Sequence, residues 1–113
     1  MTVPNEPVIG QAVIVSLRVS DQLSPAQHER IGRLATRLEA ALAAVSDGEF
    51  GGEDTLGSYC VLYCYGADAD EVFAAISPLI HEFGPEPRSW AIKRFGAASD
   101  LDARREWVDL SPA

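Results

Sequence analysis

The stretch GEFGGEDTLGSY, Gly48 to Tyr59, places four glycines in one short segment. Glycine-rich loops can hold phosphate on their backbone N–H groups, usually at a helix N-terminus and with a lysine close by. Here the glycines follow a helical pattern and precede an apolar run. Glu49, Glu53 and Asp54 would repel phosphate, and neither GKS nor GKT occurs in the chain. GEFGG also lacks the GxGxxG spacing. The glycines therefore read as a helix C-cap at Gly48, a bulge at Gly51-Gly52 and a turn through Asp54–Gly57. Calcium is disfavoured as well, because the alternating acids of an EF-hand loop are missing.

The other chemistry-bearing residues are sparse. Cys60 and Cys64 lie four apart in an apolar run. On a strand they share one face about 13 Å apart, too far for a disulfide between them. No CxxC spacing offers zinc a site, so both are expected to be reduced, buried and slow to react. His28 and His81 are expected at the surface, His81 in the last turn of a helix where it meets the negative dipole end. Asp68, Asp70 and Glu71 form an acidic group, which helix capping and the dipole explain without a metal. Ser58 in LGSY is no nucleophile elbow, because no helix follows it directly. No cofactor, metal or catalytic residue is assigned.

These residues have to be positioned by elements that the periodicity defines. Ala12–Val19 alternates and reads as a strand. From Ser24 a helix follows, with Ser24 as N-cap, Pro25 at the first turn and Gln27 completing a capping box. Its apolar stripe is Ile31, Leu34, Ala35, Leu38, Ala41, Leu42 and Val45. Glu49–Glu53 pairs back with Ser58–Tyr65, and its two glycines place it at a sheet edge. A second helix starts at Asp68, with Glu71 as capping partner, is disturbed by Pro78 and stops at Gly84-Pro85. Ser89–Gly96 is a further strand. Arg105–Leu110 is either a fifth strand or part of a short helix over Asp100–Trp107. The order β-α-β-β-α-β implies a single α/β domain over residues 1–113, behind an irregular lead-in at 1–11. It is an α+β two-layer sandwich of ferredoxin-like connectivity with both helices on one sheet face and an optional extra C-terminal strand.

The chain has 113 residues, 47% of them apolar and 23% charged, and a net charge of −8. That balance opposes nucleic acid and anionic membrane as partners, and no basic stripe offsets it. A basic protein is a better electrostatic match. No apolar run approaches the ~20 residues of a membrane span, and the N-terminus lacks a basic signal region. The expected compartment is cytoplasmic.

DGEFGGEDTLGSYCVLYCYGADADEVFAAISPLI carries a G-E-F-x-G hairpin over Gly48–Gly52, an aromatic strand ending in Tyr-Gly over Tyr63–Gly66, a D-A-D helix start at Asp68–Asp70 and an I-x-P-L segment at Ile76–Leu79. In these motifs it resembles small uncharacterised bacterial ferredoxin-like proteins. The resemblance covers about half the chain, implies a fold rather than an activity, and includes some proteins that act as immunity partners of toxins. It transfers no catalytic residue.

One surface remains to be used. If Cys60, Leu62 and Cys64 face the helices, then Tyr59, Val61, Tyr63 and Tyr65 face away, together with Ile14, Arg18 and Lys93. A water-facing sheet side should be polar, and this one is aromatic. The expectation is a non-catalytic binding or regulatory protein that recognises another protein, or itself as a homodimer, through this face. The alternative is a homodimeric enzyme or small-ligand binder with its site on the same face, using Tyr63, Arg18 or His28.

Overall fold

In the computed structural model of the chain, residues 10–19 and 24–111 are described. The expected lead-in lies outside the described residues through residue 9. Five strands and two helices follow in the order β1 (Gln11–Arg18), α1 (Pro25–Leu42), β2 (Glu49–Leu56), β3 (Tyr59–Gly66), α2 (Ala69–Phe83), β4 (Trp90–Arg94) and β5 (Arg105–Asp109). The strands form one sheet, ordered β2-β3-β1-β4-β5, and every neighbouring pair is antiparallel. Each helix connects two strands that leave room for a third between them: β3 sits between β1 and β2, and β1 between β3 and β4. This is the split β-α-β connectivity that the element order implies. The fold is a two-layer α+β sandwich, with one five-stranded antiparallel sheet packed against two helices.

The core fills the space between the layers. Val13, Val15 and Leu17 of β1 stand beside Cys64, Leu62 and Cys60 of β3 in register. Ile31, Leu34, Leu38 and Leu42 of α1 and Ala69, Val72, Ile76 and Ile80 of α2 close over them. The i, i+3, i+4 spacing of those helical residues produces the stripe that faces the sheet. α1 lies against β2 and β3, and α2 against β1, β3 and β4, while β5 reaches the core through Val108.

The helix starts match the sequence. Ser24 accepts from the Gln27 amide at 3.2 Å, and Gln27 Oε1 accepts from the Ser24 amide at 3.1 Å. Asp68 caps α2 through the amide of Asp70 at 2.9 Å, without the reach-back from Glu71 that was expected. Gln11 Oε1 takes the next free donor, Ala69 N–H, at 2.8 Å. α2 runs through Pro78. Both Pro78 and Ala74, whose carbonyl loses its bond, are exposed, so water can satisfy that oxygen.

Two boundaries differ from expectation. α1 ends at Leu42 with Ala43 in right-handed geometry, and the left-handed residue is Asp47 at φ 55°, not Gly48. Gly48 is required for another reason: a Cβ there would collide with the Leu42 carbonyl oxygen. β2 also runs on through Asp54 to Leu56, which pairs with Tyr59, so the turn is Gly57-Ser58. Gly57 supplies its positive φ of 59°, as a glycine-first hairpin turn requires. β2 is an edge strand, as expected, and its register slips between Phe50 and Gly52. Of the two readings for the C-terminal segment, strand is the observed one.

Candidate functional site

The sheet side away from the helices is defined by register. Cys60, Leu62 and Cys64 belong to the core, so Tyr59, Val61, Tyr63 and Tyr65 alternate to the other side, as expected. Their partners on β1 are Arg18, Ser16, Ile14 and Ala12. Those on β4 are Trp90, Ile92 and Arg94. β5 contributes Arg105, Trp107 and Asp109, and β2 contributes Glu49, Gly52, Asp54 and Leu56. Lys93 is the exception to the sequence reading. It pairs with Val13 and therefore points to the helix side. Its Nζ lies 3.0 Å from Asp70 and 3.6 Å from Glu106, and 4.8 Å from the Phe73 ring centroid. It ties α2, β4 and β5 together.

The residues on this side are not equally available. Tyr65 is 2% exposed and Val61 6%, which removes both from the set of contact residues that the sequence proposed. The Tyr65 ring fills the space left by the missing side chain of Gly51. Tyr59 and Tyr63 are half-buried. Arg18 holds its guanidinium 5.9 Å from the Tyr59 ring centroid, and Trp90 meets Tyr59 edge-on with centroids 6.5 Å apart. Trp107, on β5, is 62% exposed and Leu56, on β2, is 43% exposed.

The register also arranges these residues in rows across the strands. One row runs Gly52, Tyr63, Ile14, Ile92, Trp107 from β2 to β5. Apart from its glycine it is apolar or aromatic throughout. The sequence identified the tyrosines of β3 but missed Trp107 and Ile92. The REWVD segment is too short for alternation to assign its faces without the β4 pairing.

Asp54 Oδ1 accepts from the Thr55 amide at 3.0 Å, while its Oδ2 is buried with no hydrogen-bond partner. The Tyr63 hydroxyl is held above its ordinary pKa by burial and by the Asp54 charge. His28 lies exposed on α1, in the helix layer. It stands on the layer opposite the sheet side that carries Tyr63 and Arg18. Tyr63 and Arg18 are themselves separated, since their β1 positions, Ile14 and Arg18, lie four residues or about 13 Å apart.

The remaining candidates are structural. Cys60 and Cys64 are buried free thiols. Burial pushes both up to about 12, and for Cys60 the neighbouring Glu53, which accepts its Sγ hydrogen at 3.7 Å, adds to the effect. Neither is a ready nucleophile. Gly10, Gly48, Gly66 and Gly96 come together at one end of the sheet around an open depression of about 1000 Å³. Asp47 and Glu49 line it too, so the glycine-rich segment meets acids rather than an anion-binding cradle. No group of three or more potential metal ligands occurs among the described residues. No helix among them is long and apolar enough to cross a membrane.

Comparison with protein families, curated proteins and solved structures finds no match in any of the three. The resemblance to small bacterial ferredoxin-like proteins thus rests on the motifs of the chain alone.

Proposed function

We propose that this chain is a non-catalytic binding protein that works by contact with protein, through the sheet side that carries no helices. The supporting observation is the row Tyr63, Ile14, Ile92, Trp107, which runs across four strands and ends in a 62% exposed indole. Exposed aromatics grouped on one surface mark contact sites, and tryptophan and tyrosine dominate the energetics of such sites. The scattered positions of His28, His81 and the two thiols supply no converging acid, base and nucleophile.

Affinity capture from the native cell tests this reading. Tagged wild-type protein is expected to retain a specific protein. Trp107→Glu and Tyr63→Asp should lose it, and Arg33→Glu on the helix layer should keep it. Retention that follows Arg33 and ignores both sheet variants would move the contact surface to the helices and defeat the proposal.

A further inference from the structure

β2 closes one side of the sheet. Among the described residues it pairs with β3 alone, so the outward N–H and C=O groups along its eight residues enter no ladder. Such an edge is a template for another extended chain. Beyond the slip between Phe50 and Gly52 the pairing is regular from Gly52 to Leu56, which leaves about 17 Å of regular edge. Glu53, Thr55 and Leu56 are exposed along it, and Gly52 and Asp54 are half-buried.

The edge carries charge of one sign. β2 holds Glu49, Glu53 and Asp54 and no base, and β3 beside it holds no charged side chain. Among the described residues none of the three acids takes part in an ion pair. Bases are engaged elsewhere: Arg33 with Glu29, Arg37 with Glu82, and Lys93 with Asp70 and Glu106. Asp54 Oδ2 has no hydrogen-bond partner. The opposite edge differs. β5 is five residues long and sets Arg105 beside Glu106 and Asp109, and Glu106 already meets Lys93 and Arg104 at 3.6 Å each. Pairing β2 with β2 of a second copy would bring acid beside acid, which destabilises a ladder.

From this edge and its uncompensated charge we infer that β2 docks a basic extended segment of another protein, which joins the sheet as a further strand. The inference rests on the reading of the chain as a protein-binding one and names the chemistry of its partner. Glu53 pairs with Leu62 of the core and so stands on the helix side, while Asp54 and Leu56 stand on the other. Two adjacent basic residues of the added strand would therefore meet Glu53 and Asp54. An apolar residue two places beyond would meet Leu56, which is 43% exposed and pairs with Tyr59. Main-chain bonds supply the affinity in this mode, and the side chains select the partner.

The capped hexapeptide Thr-Lys-Lys-Thr-Val-Thr and its reverse, one for each strand direction, test this against the isotope-labelled full chain by NMR titration. Concentrations up to about 1 mM register weak encounters. One of the two is expected to shift the amides of Gly52–Leu56 most, with binding that weakens as salt rises. The Thr-Glu-Glu-Thr-Val-Thr analogue should not bind. Neither should Thr-Lys-Lys-Pro-Val-Thr, which keeps the charge but loses a ladder donor. Glu53→Lys, at an exposed position, should weaken the lysine peptide about tenfold or more; if it does not fold, Glu53→Gln carries the same test with a smaller loss. Equal binding of the proline analogue overturns strand addition, and so does the absence of any shift with both lysine peptides. Shifts centred on Ile92 and Trp107 overturn the edge and leave the sheet-side reading standing. Shifts confined to α1 and α2 overturn both.

Discussion

The Cys60 and Cys64 thiols link burial to alkaline stability. Their folded values are near 12, against 9.0 for an unperturbed thiol. Between those values the unfolded chain has released its protons while the folded chain keeps them, so the unfolded state binds fewer protons and stability falls as pH rises. The contribution is fully present below pH 9. Urea midpoints are expected to decline from about pH 9 upward, and Cys60→Ala/Cys64→Ala should flatten that limb. Native thiol labelling at pH 8 should be slow, and rapid labelling of both would contradict their burial. Gly51 provides a second residue-level test. A Cβ there would run into the Tyr65 ring, so Gly51→Ala is expected to cost about 1–3 kcal/mol as an overpacking change, read from chemical denaturation. The bulge was legible from two adjacent glycines. The aromatic ring that demands the first of them was not, because Tyr65 lies across the ladder rather than nearby in sequence.

Elements were legible where one period held over many residues. β1, β3, α1 and α2 each bury an unmistakable face, and the capping box at Ser24 marks the start of α1. Ser24→Ala should lower stability by about 1 kcal/mol, with a smaller loss for Ser24→Gly, in urea titrations. Reading failed where no single period decides. The Trp90–Arg94 segment has apolar residues on both parities, so only its pairing with Val13 turns Lys93 toward the helices. β5 carries just one half-buried side chain, Val108, among five residues, which leaves strand and helix equally open in sequence. Among the described residues that strand is the last of the sheet, and only Val108 packs it onto the core. Hydrogen exchange is therefore expected to be fastest, among the strands, at the outward amides of Arg105–Asp109 and slowest in β1 and β3. Slow exchange throughout β5 in dilute protein would show that something covers it.

At the scale of the molecule, sequence gave the layers but could not reveal the rows across the sheet, which exist only through register. His28 and Tyr63, each offered by the sequence for the alternative site, lie on opposite sides of the sheet. The central position of β1 also governs how the chain is made. β1 leaves the ribosome first, yet its two neighbours are β3 and β4, so Ala12 waits for both Tyr65 and Arg94. At ~5–20 residues per second the second wait lasts roughly 4–16 s. Through that interval Val13, Val15 and Leu17 have no completed sheet to enter. Helix α1 and the β2–β3 hairpin can form locally in the meantime, whereas closure of the centre must follow late synthesis. A nascent chain stalled before Trp90 should accordingly be captured by chaperones and digested readily by protease, and one stalled far enough beyond Arg94 for β4 to emerge should resist.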